Sequence, residues 1–120
     1  MRAIIRRSVD KEFITPERCW ILESWNEPTD STLSIARARV EPGVTTQAHR
    51  LRGVDERYIV VAGHGVARIG DLRPERVGPG DILAIPAGTS QQVTNDGMTD
   101  LVFYCVCSPR FTPDCYESLE

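Results

Sequence analysis

The stretch Gly43-Val-Thr-Thr-Gln47-Ala-His49-Arg-Leu51-Arg-Gly53-Val-Asp-Glu56-Arg-Tyr58-Ile-Val-Val-Ala62-Gly63 decides how this chain folds. Glycines stand at both ends and the polar chemistry is grouped between them. His49 follows Gly43 after five residues, Glu56 follows across a short loop, and Gly63 closes the segment six residues beyond Glu56. Side chains alternate across an extended strand, so Gln47, His49 and Leu51 are expected on one face, and Glu56, Tyr58 and Val60 on the matching face of the next strand. A second stretch answers the first: Gly80, five residues, Pro86-Ala87-Gly88, two residues, Gln91, three residues, Asn95.

The flanking chain is organised the same way. Residues Ala3 to Ser8 and Cys19 to Trp25 read as short strands separated by the Thr15-Pro16 breaker. Ser31 to Val40 is extended, but either parity could be its buried face, and Glu41-Pro42-Gly43 ends it. Glu56 to Ala62 and Val66 to Ile69 read as strands paired through a Gly63-His64-Gly65 hairpin. Gly70 to Gly80, with two prolines and three glycines, is a turn region with a short strand at Glu75 to Val77. Ile82 to Ile85, Gln91 to Thr94 and Leu101 to Cys107 complete the pattern, with Asn95-Asp96-Gly97 as a turn and Pro109 as a stop. A final helical turn is expected around Pro113 to Leu119. Many short strands with almost no helical periodicity predict an all-β barrel or double-sheet jelly roll, and 120 residues suit a single domain spanning 1-120.

Composition narrows the function classes. With 14 basic and 17 acidic residues there is no broad cationic surface for phosphate backbones or anionic lipids, so nucleic acid and membrane are not expected partners. No apolar run approaches the roughly 20 residues that span a bilayer, and the start, Met1-Arg-Ala-Ile-Ile-Arg-Arg, turns charged too early for a secretory leader; a cytoplasmic location is the expectation. Cys19, Cys105, Cys107 and Cys115 lack Cys-x-x-Cys spacing and read as buried free thiols, with Cys105 and Cys107 on one strand face, where they could line a pocket.

In its glycines, its proline and its asparagine, the paired arrangement resembles the two motifs of the cupin superfamily, and specifically a small single-domain cupin. The resemblance implies a double-stranded β-helix, a homodimer in which an N-terminal strand covers a sheet edge, and a divalent metal inside the barrel. Two usual ligand histidines are replaced here, one by Leu51 and one by Gln91, so that His49 and Glu56 carry over unchanged and Gln91 retains an amide oxygen. Gln47, on the same expected face as His49, is a substitute ligand. Such a set of His49, Glu56, Gln91 and Gln47 would favour Mn, Fe, Zn or Ni. A lone barrel histidine is also commonly a hydrogen-bonded core residue.

Glu56 and Tyr58 are the candidate catalytic residues, as a proton carrier and a phenol that orients a hydroxyl or an enolate. His64, in the hairpin, is expected exposed. Arg50, Arg52 and Arg57 read as a solvated rim or as a lure for an anionic ligand. The resemblance places isomerase chemistry on a small, anionic or sugar-like molecule first. Behind it stand a metal-free small-molecule binding or sensing module, a metal-dependent dioxygenase, and metal-free acid-base catalysis by Glu56.

Overall fold

A computed structural model of the protein describes residues 3–120. Eleven strands form: β1 (Phe13–Ile14), β2 (Trp20–Trp25), β3 (Ser34–Val40), β4 (His49–Leu51), β5 (Asp55–Ala62), β6 (Gly65–Ile69), β7 (Glu75–Val77), β8 (Ile82–Ile85), β9 (Gln91–Thr94), β10 (Leu101–Ser108) and β11 (Tyr116–Ser118). They build two antiparallel sheets, one in the order β1-β2-β3-β10-β5-β8 and the other β11-β4-β9-β6-β7. The inner faces enclose the core, and the all-β jelly-roll expectation holds. Among the described residues no helix is long and apolar enough to cross a membrane.

The long strand β10 organises the first sheet, because it pairs along its length with β3 on one side and β5 on the other. Its residues Leu101, Phe103, Cys105 and Cys107 are buried, and Phe103 stacks on Tyr58 with ring centroids 4.4 Å apart. The face of β3 that its sequence leaves open is settled here. Ser34, Ala38 and Val40 point inward, while Arg37 and Arg39 turn outward to the carboxylate of Glu12. On the outer side the guanidinium groups stay partly solvated and paired, which spares them the desolvation that burial would impose.

Three local expectations are corrected. Residues 3–8 form no strand; the edge of the first sheet is covered instead by Phe13–Ile14, which folds back on Ile21 and Trp20 across a tight loop in which Arg18 adopts a positive φ of 69°. That nearby pairing closes a far shorter loop than any distant partner would. The helical turn expected at the chain end does begin at Pro113 but is shorter: Pro113–Cys115 makes a single 3-10 turn, after which β11 pairs with β4.

The third correction concerns Gly63-His64-Gly65, which is a corner and not a hairpin, since β5 and β6 belong to different sheets. The crossing needs glycine. A Cβ on Gly63, which has φ of 77°, would stand 2.3 Å from the carbonyl oxygen of Asp100, and one on Gly65 would stand 2.5 Å from that of Thr94. His64 is exposed at this corner.

Gly63 and Gly53 both have positive φ, but a Cβ at Gly53 would meet nothing within 4 Å. Gly53→Ala is therefore expected to lose about 1 kcal/mol, the backbone term alone. Gly63→Ala adds the clash with Asp100 and should lose more than about 2 kcal/mol. Urea unfolding of the two variants measures the difference, and equal losses would contradict the corner geometry.

Candidate functional site

His49 opens β4 and is buried, and its register partner on β9 is Gln91. Its Nδ1 lies 2.8 Å from the carbonyl oxygen of Gln47. A carbonyl can only accept, so Nδ1 carries the proton and Nε2 holds the free lone pair of the neutral ring. The ring is clamped from one side by Tyr116 of β11, stacked at 4.6 Å between centroids and 19° between planes. Nε2 looks toward Glu17 Oε2 at 3.9 Å.

Glu17 lies in the loop between β1 and β2, and nothing in its sequence surroundings marks it out. Its backbone carbonyl accepts from Gln47 N at 2.9 Å, which ties the loop to the strand that carries His49. Burial raises its pKa, and the neighbouring His49 and the Cys19 thiol partly offset this. Sequence reasoning missed it because a loop residue has no alternation to assign it a face.

Glu56 sits on the inner face of β5, beside Cys107 of β10 and Ile85 of β8. Burial pushes its pKa up to about 7, moderated by Gln91 and by the Cys107 thiol, and the charge of Glu17 raises it further. The Cys107 thiol donates to Oε2 at 3.4 Å, but Oε1 has no hydrogen-bond partner. Gln91 Nε2 also lacks one. Gln91 is near enough to moderate the Glu56 carboxyl, yet no contact between the two closes to hydrogen-bond geometry. An acceptor and a donor are thus left open, both deeply buried. On its other side, Gln91 Oε1 accepts the Tyr58 hydroxyl proton. Burial holds the Tyr58 pKa well above the ordinary phenol range, so it stays a donor.

His49, Glu56, Tyr58 and Glu17 all line one cavity of about 280 Å³, together with Phe13, Phe111 and Tyr116. Cys105 and Cys107 line it as well, and all four cysteines are free and buried. Gln91 is packed behind Tyr58. Gln47 precedes β4 and is outside the cavity lining; its amide oxygen accepts from the Tyr116 hydroxyl. Strand alternation does not extend to a residue that is not in the strand. Arg50 and Arg52 pair with Glu117, and Arg57 donates to the Ser108 hydroxyl.

The donors do not fit a resident metal. Leu51 packs with Val54, Cys107 and Cys115 as core, the Gln91 oxygen is taken by Tyr58, and the amide presents a nitrogen donor instead. Burial holds the Cys107 thiol protonated. Among the described residues no three His, Cys, Asp or Glu side chains gather in a metal-holding group.

A family model described as the cupin domain matches residues 36–107. Among solved structures, the chain superposes on a Streptomyces Pac13 variant with uridine at a TM-score of 0.80 and 16% identity, covering 100% of this chain and 92% of that one. Another Pac13 structure is described as that of a nucleoside dehydratase. A predicted oxalate decarboxylase from Thermotoga maritima superposes at 0.76 with 22% identity, covering 88% of this chain and 98% of that one. These identities establish a shared fold. A curated relative, the endoribonuclease YbeY of Myxococcus xanthus, is 34% identical over 86 residues, which are 72% of this chain but 28% of that protein. The chain thus matches little more than a quarter of that relative's length.

The raised Glu56 pKa makes stability depend on pH. A carboxyl near 4.5 when unfolded and about 7 when folded binds its proton more tightly in the folded state. Stability is then full below about pH 4.5, falls as pH rises to about 7 and levels off, a loss of about 3 kcal/mol. Glu17 shifts in the same direction, whereas the surface carboxyls of Glu117, Glu120 and Asp96 are lowered and act at more acidic pH. Denaturant titrations at pH 5 and pH 8 should show the wild type weaker at pH 8 and Glu56→Gln much less so; a wild type that gains stability across that window would refute the assignment.

Proposed function

The chain belongs to the cupin family, and from that premise we propose that its barrel performs acid-base catalysis on a small carbonyl-bearing molecule, with the protons carried by the protein's own side chains. Cupin family members often bind metals, but the donor set here supports chemistry that does not depend on one. The observation that carries this reading is the pairing, in one cavity, of an imidazole with a free Nε2 and a carboxyl whose pKa is near neutrality.

Each group has a role suited to its surroundings. His49 Nε2 accepts a proton from the carbon beside the carbonyl, and Glu17 stabilises the imidazolium that forms. Glu56, protonated over much of the neutral range, donates to the carbonyl oxygen as charge develops there. The resulting enol has two outlets. Return of the proton to the neighbouring carbon gives isomerisation; departure of a β-hydroxyl, protonated as it leaves, gives elimination. Tyr58 holds Gln91 in place and does not reach the reacting atoms through a free proton.

The isomerase expectation is retained as one of these outlets, and the description of Pac13 as a nucleoside dehydratase lends support to the other. A dioxygenase would need the metal that these ligands do not suit. Pure binding or sensing remains the second reading, favoured by the largely apolar cavity wall.

Solvent deuterium incorporation, followed by proton NMR in D2O with excess EDTA, tests the proposal on dihydroxyacetone, glyceraldehyde and aminoacetone. Exchange above the buffer rate is expected, reduced at least about a hundredfold in His49→Gln and in Glu56→Gln. No acceleration with any of the three, or acceleration only after a divalent metal is added, would reject it.

A further inference from the structure

The charge of the cavity wall is one-sided. Glu17, Glu23 and Glu56 reach it, and among the described residues no arginine or lysine does. The nearby guanidinium groups are engaged elsewhere: Arg18 with Glu120, Arg50 and Arg52 with Glu117. Arg110 donates to Asn26 and its charge is felt only by Glu23, the outermost of the three carboxyls. The thiols of Cys19, Cys105 and Cys107 and the phenols of Tyr58 and Tyr116 are all pushed up by burial, Cys19 to about 12, and stay neutral. His49 is the one group of the lining that can carry positive charge. The rest of the wall is largely apolar, with Phe13, Ile21, Phe103 and Phe111 among its residues and the hydroxyls of Thr15, Ser34 and Thr46 as its neutral polar groups.

We propose that this cavity takes a small organic cation, a primary or secondary amine on an apolar or ring-bearing body, and rejects an anion of the same shape. The inference rests on the acid-base reading of the site and names its substrate class. The unpartnered Glu56 Oε1 is the second, independent pointer to a ligand, since a buried acceptor without a donor is strongly disfavoured and an ammonium N–H would supply one. The aromatic residues of the lining add attraction for a cation that a neutral ligand would not feel. An anion would further oppose ionisation of the three carboxyls and would find only His49 as a positive partner. Of the arginines that suggested an anionic ligand from sequence, Arg50 and Arg52 are held by Glu117, Arg57 donates to the Ser108 hydroxyl, and none of the three lines the cavity.

Charge recognition is coupled to protons. An ammonium beside Glu17 favours its ionised form, so binding releases a proton and affinity rises with pH, while Glu56 Oε1 accepts an ammonium N–H with the acid proton of that carboxyl retained.

The test compares benzylammonium, benzyl alcohol and benzoate by isothermal titration at pH 7, in two buffers of different ionisation enthalpy. Benzylammonium should bind at least about tenfold more tightly than benzyl alcohol, with net proton release, and benzoate should bind no better than the alcohol. Glu17→Gln and Glu56→Gln should each reduce the ammonium preference several-fold. Glu23→Gln, at the exposed rim, should reduce it less and guards against loss of folding in the buried variants. His49→Gln removes the proposed base and leaves the carboxyls, so it should abolish deuterium exchange while keeping the charge preference, and the two proposals fail separately. Equal or tighter binding of benzoate or of the alcohol, or no binding of benzylammonium, would overturn the inference.

Discussion

The fold hangs on one buried amide. Asn95, fully enclosed, donates through Nδ2 to the carbonyls of Val40 and Thr99, at 2.9 and 2.8 Å, and accepts from Gly97 N at 2.9 Å through Oδ1. Its backbone joins Gly43 N and the Val44 carbonyl, at 2.8 and 2.9 Å. Two of the crossings between sheets, β3 to β4 and β9 to β10, are thereby tied at one point. Backbone groups that leave one ladder before joining the next would otherwise be buried without partners, which is among the most costly defects a core can carry. The second motif ends in Asn95 because a planar amide satisfies both crossings at once.

That tie sets the geometry of the site. With β4 and β9 held side by side, His49 lies opposite Gln91; with β10 held between β3 and β5, Glu56 lies opposite Cys107 and Tyr58 opposite Cys105. The two sheets therefore deliver an imidazole and a carboxyl to one cavity, and the loop before β2 adds Glu17. The positions at which the cupin resemblance implies histidines have been turned to other purposes. Leu51 became core, and Gln91 became the centre of a hydrogen-bonded pair with Tyr58. What remains is an enclosed cavity with more carboxyl groups than positive partners. In such surroundings protonation is the least costly way for a glutamate to be buried, and a glutamate that holds its proton near neutral pH can also give it up.

Much of this was legible in the chain, and the parts that were not share a cause. The alternation in β5, the glycines at the corners and the proline before β9 marked strands and turns, because these are properties of a few adjacent residues. Glu56 and His49 could be named from spacing. Gln47 could not be placed, since its distance from the cavity depends on where β4 begins, and that is set by pairing with β9 and β11. The inner face of β3 was undecided until Glu12 and Asp100 accounted for Arg37 and Arg39 on the outer side. The Gly63 corner was misread as a hairpin because a glycine turn of the same length serves either purpose, and only the contact with Asp100 distinguishes them.

By itself, then, the sequence determined the family, the all-β architecture and two of the groups that meet in the cavity, since each is written in local patterning and motif spacing. Only the tertiary structure decided the ionisation of Glu56, the commitment of the Gln91 oxygen to Tyr58, and the arrival of Glu17 beside His49. A pKa and a free lone pair are set by what surrounds a group in space, and those neighbours come from strands and loops far apart along the chain.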